Sequence, residues 1–131
     1  MSVEAEERQV VVGWRLDRVL RQELLAQFPP AYANAVADHV TLKSRVPADA
    51  PLPTEHSAEI IGRVDDDRGV EAMVVRIGGT TDRPGGGTYH ITWSLAEGRQ
   101  ARESNDAIAA HGWASLPEPI PILLEPARFS P

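Results

Sequence analysis

Cysteine is absent from this 131-residue chain, so disulfides, thiolate metal centres and a cysteine nucleophile are excluded. That lack suits a reducing compartment. No apolar run approaches the roughly 18 residues a membrane span requires. The opening residues, MSVEAEER, carry no basic-then-apolar export signal. Together these predict a cytoplasmic protein without membrane contact, its residues 1–8 frayed. Positive charge is scarce as well: 13 Lys and Arg stand against 19 Asp and Glu, for a formal net charge of −6. A protein that coats long duplex nucleic acid needs a broad basic surface, and this composition does not supply one. A small phosphate ligand in a local basic cleft remains open to it. Repeats of solenoid length and linkers are also lacking, so the chain reads as one domain over residues 1–131.

What is present is a succession of strand and helix signals in the order β-α-β-β-β-β-α-β. QVVVGWRL at residues 9–16 is rich in β-branched residues and predicts a strand. Asp17 is placed to cap a following helix whose Leu20, Leu24 and Phe28 recur four apart, and Pro29-Pro30 stops it. Strands are predicted at residues 38–45, 57–65, 70–78 and 89–95, with Asp65-Asp66-Asp67-Arg68-Gly69 as a solvated hairpin turn between the second and third. Residues 78–87, GGTTDRPGGG, form a glycine-rich loop, read first as a plain flexible connection and, if it has a function, as a flap over the groove. Ser104 predicts the cap of a short helix ending at Gly112, and residues 120–125 a last short edge strand interrupted by prolines. The expected fold is α+β: a compact, bilobal, mostly antiparallel sheet with two helices and a central groove between its lobes.

The chemistry lies in a repeated tetrapeptide. His39-Val40-Thr41-Leu42 and His90-Ile91-Thr92-Trp93 both read His–apolar–Thr–apolar within predicted strands. Side chains alternate along a strand, so each motif offers a His-Thr face and an apolar face. The same alternation extends the polar face of the first strand to Lys43 and Arg45. If the two strands converge, paired imidazoles can act as acid and base near neutral pH. Threonine hydroxyls can donate to non-bridging phosphate oxygens, and cations can offset the charge that develops there.

These two motifs resemble the signature of the 2H phosphoesterase superfamily. Together with AEIIGRVDDDRGVEAMVV they are similar to the cyclic-phosphodiesterase-like modules of tRNA ligases and small bacterial or phage relatives. The resemblance covers about residues 10–126. It implies a bilobal fold with both motifs in the groove, and metal-independent cleavage of a nucleotide or RNA-end phosphodiester such as a 2′,3′-cyclic phosphate. It also implies His39 and His90 as the catalytic pair, with Thr41 and Thr92 as phosphate-binding hydroxyls. The motifs stand closer together than in the larger members, which implies either a more open groove with a different substrate or a module that binds without turnover.

Arg83 on the glycine-rich loop is placed to join Lys43 and Arg45 in binding phosphate. Trp14 and Tyr32 are candidates for stacking on a base. No cofactor and no metal is expected, because His56 and His111 lack ligand spacing. The alternative to an enzyme is a non-catalytic module of the same fold that binds a nucleotide or an RNA end. A purely structural domain with incidental histidines is a third reading.

Overall fold

A computed structural model describes residues 9–130, so the fraying expected of residues 1–8 lies outside the described residues. The elements are β1 (Gln9–Leu16), α1 (Arg18–Gln27), β2 (Asn34–Ala35), β3 (His39–Pro47), β4 (Ser57–Asp65), β5 (Val70–Arg76), β6 (His90–Leu95), α2 (Glu103–His111) and β7 (Ala114–Phe129). Asp17 caps α1 as its position suggested, its carboxylate accepting from the Leu20 amide at 3.0 Å. The α+β class, the two helices and the antiparallel pairing agree with the sequence. The bilobal arrangement does not. The strands run β6-β3-β1-β7-β4-β5 and return to β6, closing an antiparallel barrel.

Closure follows from β7, which is far longer than the edge strand expected at residues 120–125. Its residues 114–123 pair with β4 and its residues 124–129 with β1. Handing over from one partner to the other turns the sheet round on itself. It also explains how a strand containing Pro117, Pro119, Pro121 and Pro126 stays in the ladder. Each half is paired on one side only, so missing N–H groups cost few bonds.

The interior holds Trp14, Ile60, Met73, Ile91, Trp93 and Ile122, and α1 lays Leu24 against the same cluster. Trp14 and Trp93 each donate an indole N–H to a backbone carbonyl, of Glu55 and Phe28 respectively, so neither buried ring leaves its donor unpaired. β5 is buried on both faces. Met73 and Val75 point into the barrel, while Ala72 and Val74 meet Ile108 of α2 outside it, which is why its sequence runs apolar instead of alternating. Glu71 is a fully buried carboxylate on this strand. It accepts from the Ala31 amide, the Ser94 hydroxyl and the Arg63 guanidinium, which ties the loop after α1 to β4, β5 and β6.

β3 is irregular, and its irregularities matter for the site. Its register with β1 slips at two places, between Val10 and Val12 and between Val12 and Gly13, leaving extra residues on the β3 side. Arg45 sits at φ 55° within this stretch, and Ala37, just before β3, at φ 43°. Gly13 lies directly beneath the first motif. A Cβ there would overlap the Val40 carbonyl oxygen and stand 3.0 Å from the Leu42 nitrogen. Gly13→Ala is therefore expected to destabilise the protein by about 1–3 kcal/mol, the usual range for overpacking. Thermal denaturation would register this as a drop in Tm of roughly 3–12 °C; an unchanged Tm would mean that β1 and β3 are not so closely apposed.

Candidate active site on the outer wall of the barrel

Val40 and Ile91, the middle residues of the two motifs, are fully buried in the barrel and pair directly across the β3–β6 seam. Strand alternation then sends His39, Thr41, His90 and Thr92 to the outer wall. The groove is therefore not between lobes but on the outside of the barrel. It is bordered by the glycine-rich loop, by the first turn of α2 and by the end of β7. It encloses about 360 Å³ and is lined by both histidines, both threonines, Arg83, Arg102 and other groups.

The two imidazoles are held differently. His39 Nδ1 is 3.0 Å from Asp38 Oδ2, and the other oxygen of that carboxylate accepts from Arg18 at 2.5 Å. Burial alone would push the Asp38 carboxyl up, but its hydrogen bonds to Arg18 and His39 outweigh this and hold it below the usual range, ionised at neutral pH. The bulge that re-aims Asp38 and His39 is visible in the pairing: Ala37 faces Thr92 through its amide, yet Val40 pairs with Ile91, so two residues intervene on one strand and none on the other. His90 Nδ1 is 2.7 Å from the Thr88 carbonyl oxygen, which can only accept, so Nδ1 carries the proton. In both rings this leaves Nε2 as the nitrogen free to meet a ligand. Burial pushes the His90 pKa down, and the nearby Arg83 and His39 add to that effect, against the opposing hydrogen bond to Thr88.

Of the phosphate-binding candidates, Thr41, Thr92 and Arg83 line the groove, whereas Lys43 and Arg45 do not. Alternation would have placed these two beside Thr41, but the extra residue at Leu42 reverses which side chain faces the groove, and Ser44 takes that place. Thr92 is anchored instead of free: its hydroxyl lies 2.8 Å from the Ser104 hydroxyl. Ser104 is accordingly not the cap of α2. It is buried inside the first turn, and Arg102 occupies the cap position without a side-chain cap bond.

The stacking candidates are both misplaced. Trp14 is 1% exposed in the core, edge-on to Tyr89, and cannot reach a base. Tyr32 is turned away from the groove and donates its hydroxyl to Asp65 at 2.5 Å. The aromatic ring that does border the groove is Phe129, tilted against His39 with centroids 4.6 Å apart and with the Arg15 guanidinium 5.4 Å from its centre. Arg102 and Asn105 also border it. Phe129 lies four residues beyond the strand that the local pattern predicts, on the far end of β7, so no motif near it points to the groove. The other two lie on a helix whose orientation no spacing in the sequence reveals. Among the described residues no group of three or more His, Cys, Asp or Glu is gathered to hold a metal ion, and no helix is long and apolar enough to cross a membrane.

Comparison with protein-family models, with curated proteins and with solved structures found no match.

Because burial favours neutral His90 in the folded state, the unfolded chain binds the extra proton more readily just below pH 6.5, and stability should rise with pH through that window. Chemical denaturation between pH 5 and 8 is expected to show this slope in the wild type and a flatter one in His90→Gln. Equal slopes would show that His90 is not desolvated in the native state.

Proposed function

We propose that the chain is a metal-independent phosphodiesterase acting on a nucleotide or RNA-end phosphodiester, with a 2′,3′-cyclic phosphate as the favoured substrate. The observation that carries this reading is the pair of imidazoles in one groove, each with Nδ1 engaged and Nε2 left for the ligand. The roles then divide by environment. His90, neutral at working pH, takes a proton from water through Nε2 as the hydroxide attacks phosphorus. His39, oriented through Nδ1 by the Asp38 carboxylate, is the acid and gives a proton from Nε2 to the ribose oxygen whose bond to phosphorus breaks. Asp38 orients that ring and Arg18 holds Asp38 in place. Arg83 and Arg102 lie where they can meet the charge on the non-bridging oxygens, with Thr41 as a hydroxyl donor.

Affiliation with the 2H phosphoesterases belongs to the same proposal and rests on the two motifs. A cytoplasmic setting belongs to it too and rests on composition. The closed barrel differs from the two-lobed sheet that the resemblance implies, and Thr92 is tied to Ser104 instead of standing free. These two departures favour a second reading, a module of related ancestry that binds a nucleotide or RNA end without turning it over.

A panel of 2′,3′-cyclic mononucleotides and short cyclic-phosphate RNAs, assayed with EDTA present, separates the two readings. The enzyme reading expects turnover that survives EDTA and falls by about 10²–10⁴ in His39→Ala and in His90→Ala. Wild-type turnover in both variants would sink it, and binding without product would move the assignment to the module. The acidic limb of kcat/KM is expected below pH 6.5, because burial depresses the group that must be neutral. Asp38→Asn should lower kcat by roughly 10–10⁴-fold, up to the loss seen when a carboxylate behind a reacting imidazole becomes an amide, while the melting temperature stays near that of the wild type.

A further inference from the structure

The groove does not end at the histidines. Ser44 and Arg83 also border a second hollow of about 240 Å³, whose other walls are Leu42, Lys43, Pro84, Gly85 and Gly86. Although the chain is acidic overall, among the described residues no Asp or Glu lines either hollow. Lys43 is exposed there, and among the described residues no carboxylate forms an ion pair with it. It reaches this hollow because of the register slip that removes it from the first. Arg83 stands between the two. Its backbone N–H donates to the Gly87 carbonyl and its Nε to the Gly86 carbonyl, so the glycine-rich turn fixes the guanidinium while its terminal nitrogens stay available.

We infer that the second hollow is a phosphate subsite, so that the ligand carries a 5′-phosphate group one ribose away from the phosphate held by the histidines. The inference rests on the phosphodiester reading of the first groove. Lys43 meets the second phosphate as a point charge and Arg83 spans both. Leu42 and Pro84 provide an apolar wall alongside. The second phosphate is either a free 5′-monophosphate or the linkage to a preceding nucleotide, since both put the same anionic group at the same distance.

Product analogues test this without depending on catalysis. Affinity is measured calorimetrically for adenosine 3′-monophosphate, adenosine 3′,5′-bisphosphate, the dinucleotide ApAp, and ApAp with an uncharged methylphosphonate linkage. The bisphosphate and ApAp are expected to bind roughly tenfold more tightly than the monophosphate, as one charge-assisted contact allows. The methylphosphonate should lose that gain, and Lys43→Gln should reduce it to within twofold. A gain confined to ApAp identifies an internucleotide linkage as the occupant; an equal gain with the bisphosphate shows that a terminal 5′-phosphate suffices and that the subsite reads the phosphate alone. Equal affinities across the series would overturn the subsite, and so would a gain that persists in the methylphosphonate. Loss of turnover on cyclic substrates alongside a Lys43-dependent gain would instead remove the catalytic reading and leave the subsite standing.

Discussion

The contact on which the site depends is the pairing of Val40 with Ile91. Both side chains are fully buried, and each is the apolar middle of its motif. Burying two aliphatic side chains contributes roughly 3–6 kcal/mol by transfer arithmetic, an upper bound because the unfolded chain already hides part of that surface. The same burial fixes the direction of every neighbour: with the middle residues held inward, the histidines and threonines must face out. The β3–β6 seam is otherwise sparsely paired, with a bulge at Ala37–His39 before it, and beyond Thr41 β3 slips in register against β1 on its other side. Core packing thus supplies the precision, and the irregular backbone on either side supplies the room for a groove.

The two imidazoles differ in a way their shared motif does not suggest. One has a carboxylate behind it that is itself held by an arginine; the other leans on a peptide carbonyl and is largely desolvated. Burial favours the neutral form of the second ring, and the first is oriented by a carboxylate that the second lacks, so a pair identical in sequence becomes unequal in surroundings. Divergent environments around chemically identical groups are the general means by which one site provides both an acid and a base near neutral pH. Arg83 reinforces the difference, because its charge opposes protonation of His90 while remaining available to an anion.

Much of this was legible in the sequence where local rules act alone. The β1 boundaries, the Asp17 cap and the two His-Thr faces follow from capping and alternation, which require only neighbouring residues. Closure of the sheet was not legible, because it depends on which strands β7 meets along its length, and prolines read locally as an edge. Lys43 and Arg45 were misplaced because alternation presumes unbroken register, and nothing in KSR announces a bulge. Ser104 carries the right chemistry for a cap, yet its hydroxyl is taken by Thr92 from another strand. Trp14 shows the same limit: an aromatic residue near a predicted site is drawn into the core once six strands surround it.

The ladder between β1 and β7 joins Val11 to Phe129, residues from nearly opposite ends of the described chain. Phe129 is also the ring that rests on His39. The wall of the groove is therefore built by a contact of very high sequence separation, of the kind that forms slowly and late because so long a loop must first be closed. During synthesis the motifs at His39 and His90 emerge well before the strand that completes their surroundings. Until that strand is made, both histidines are present without the ring and strand that complete the groove around them.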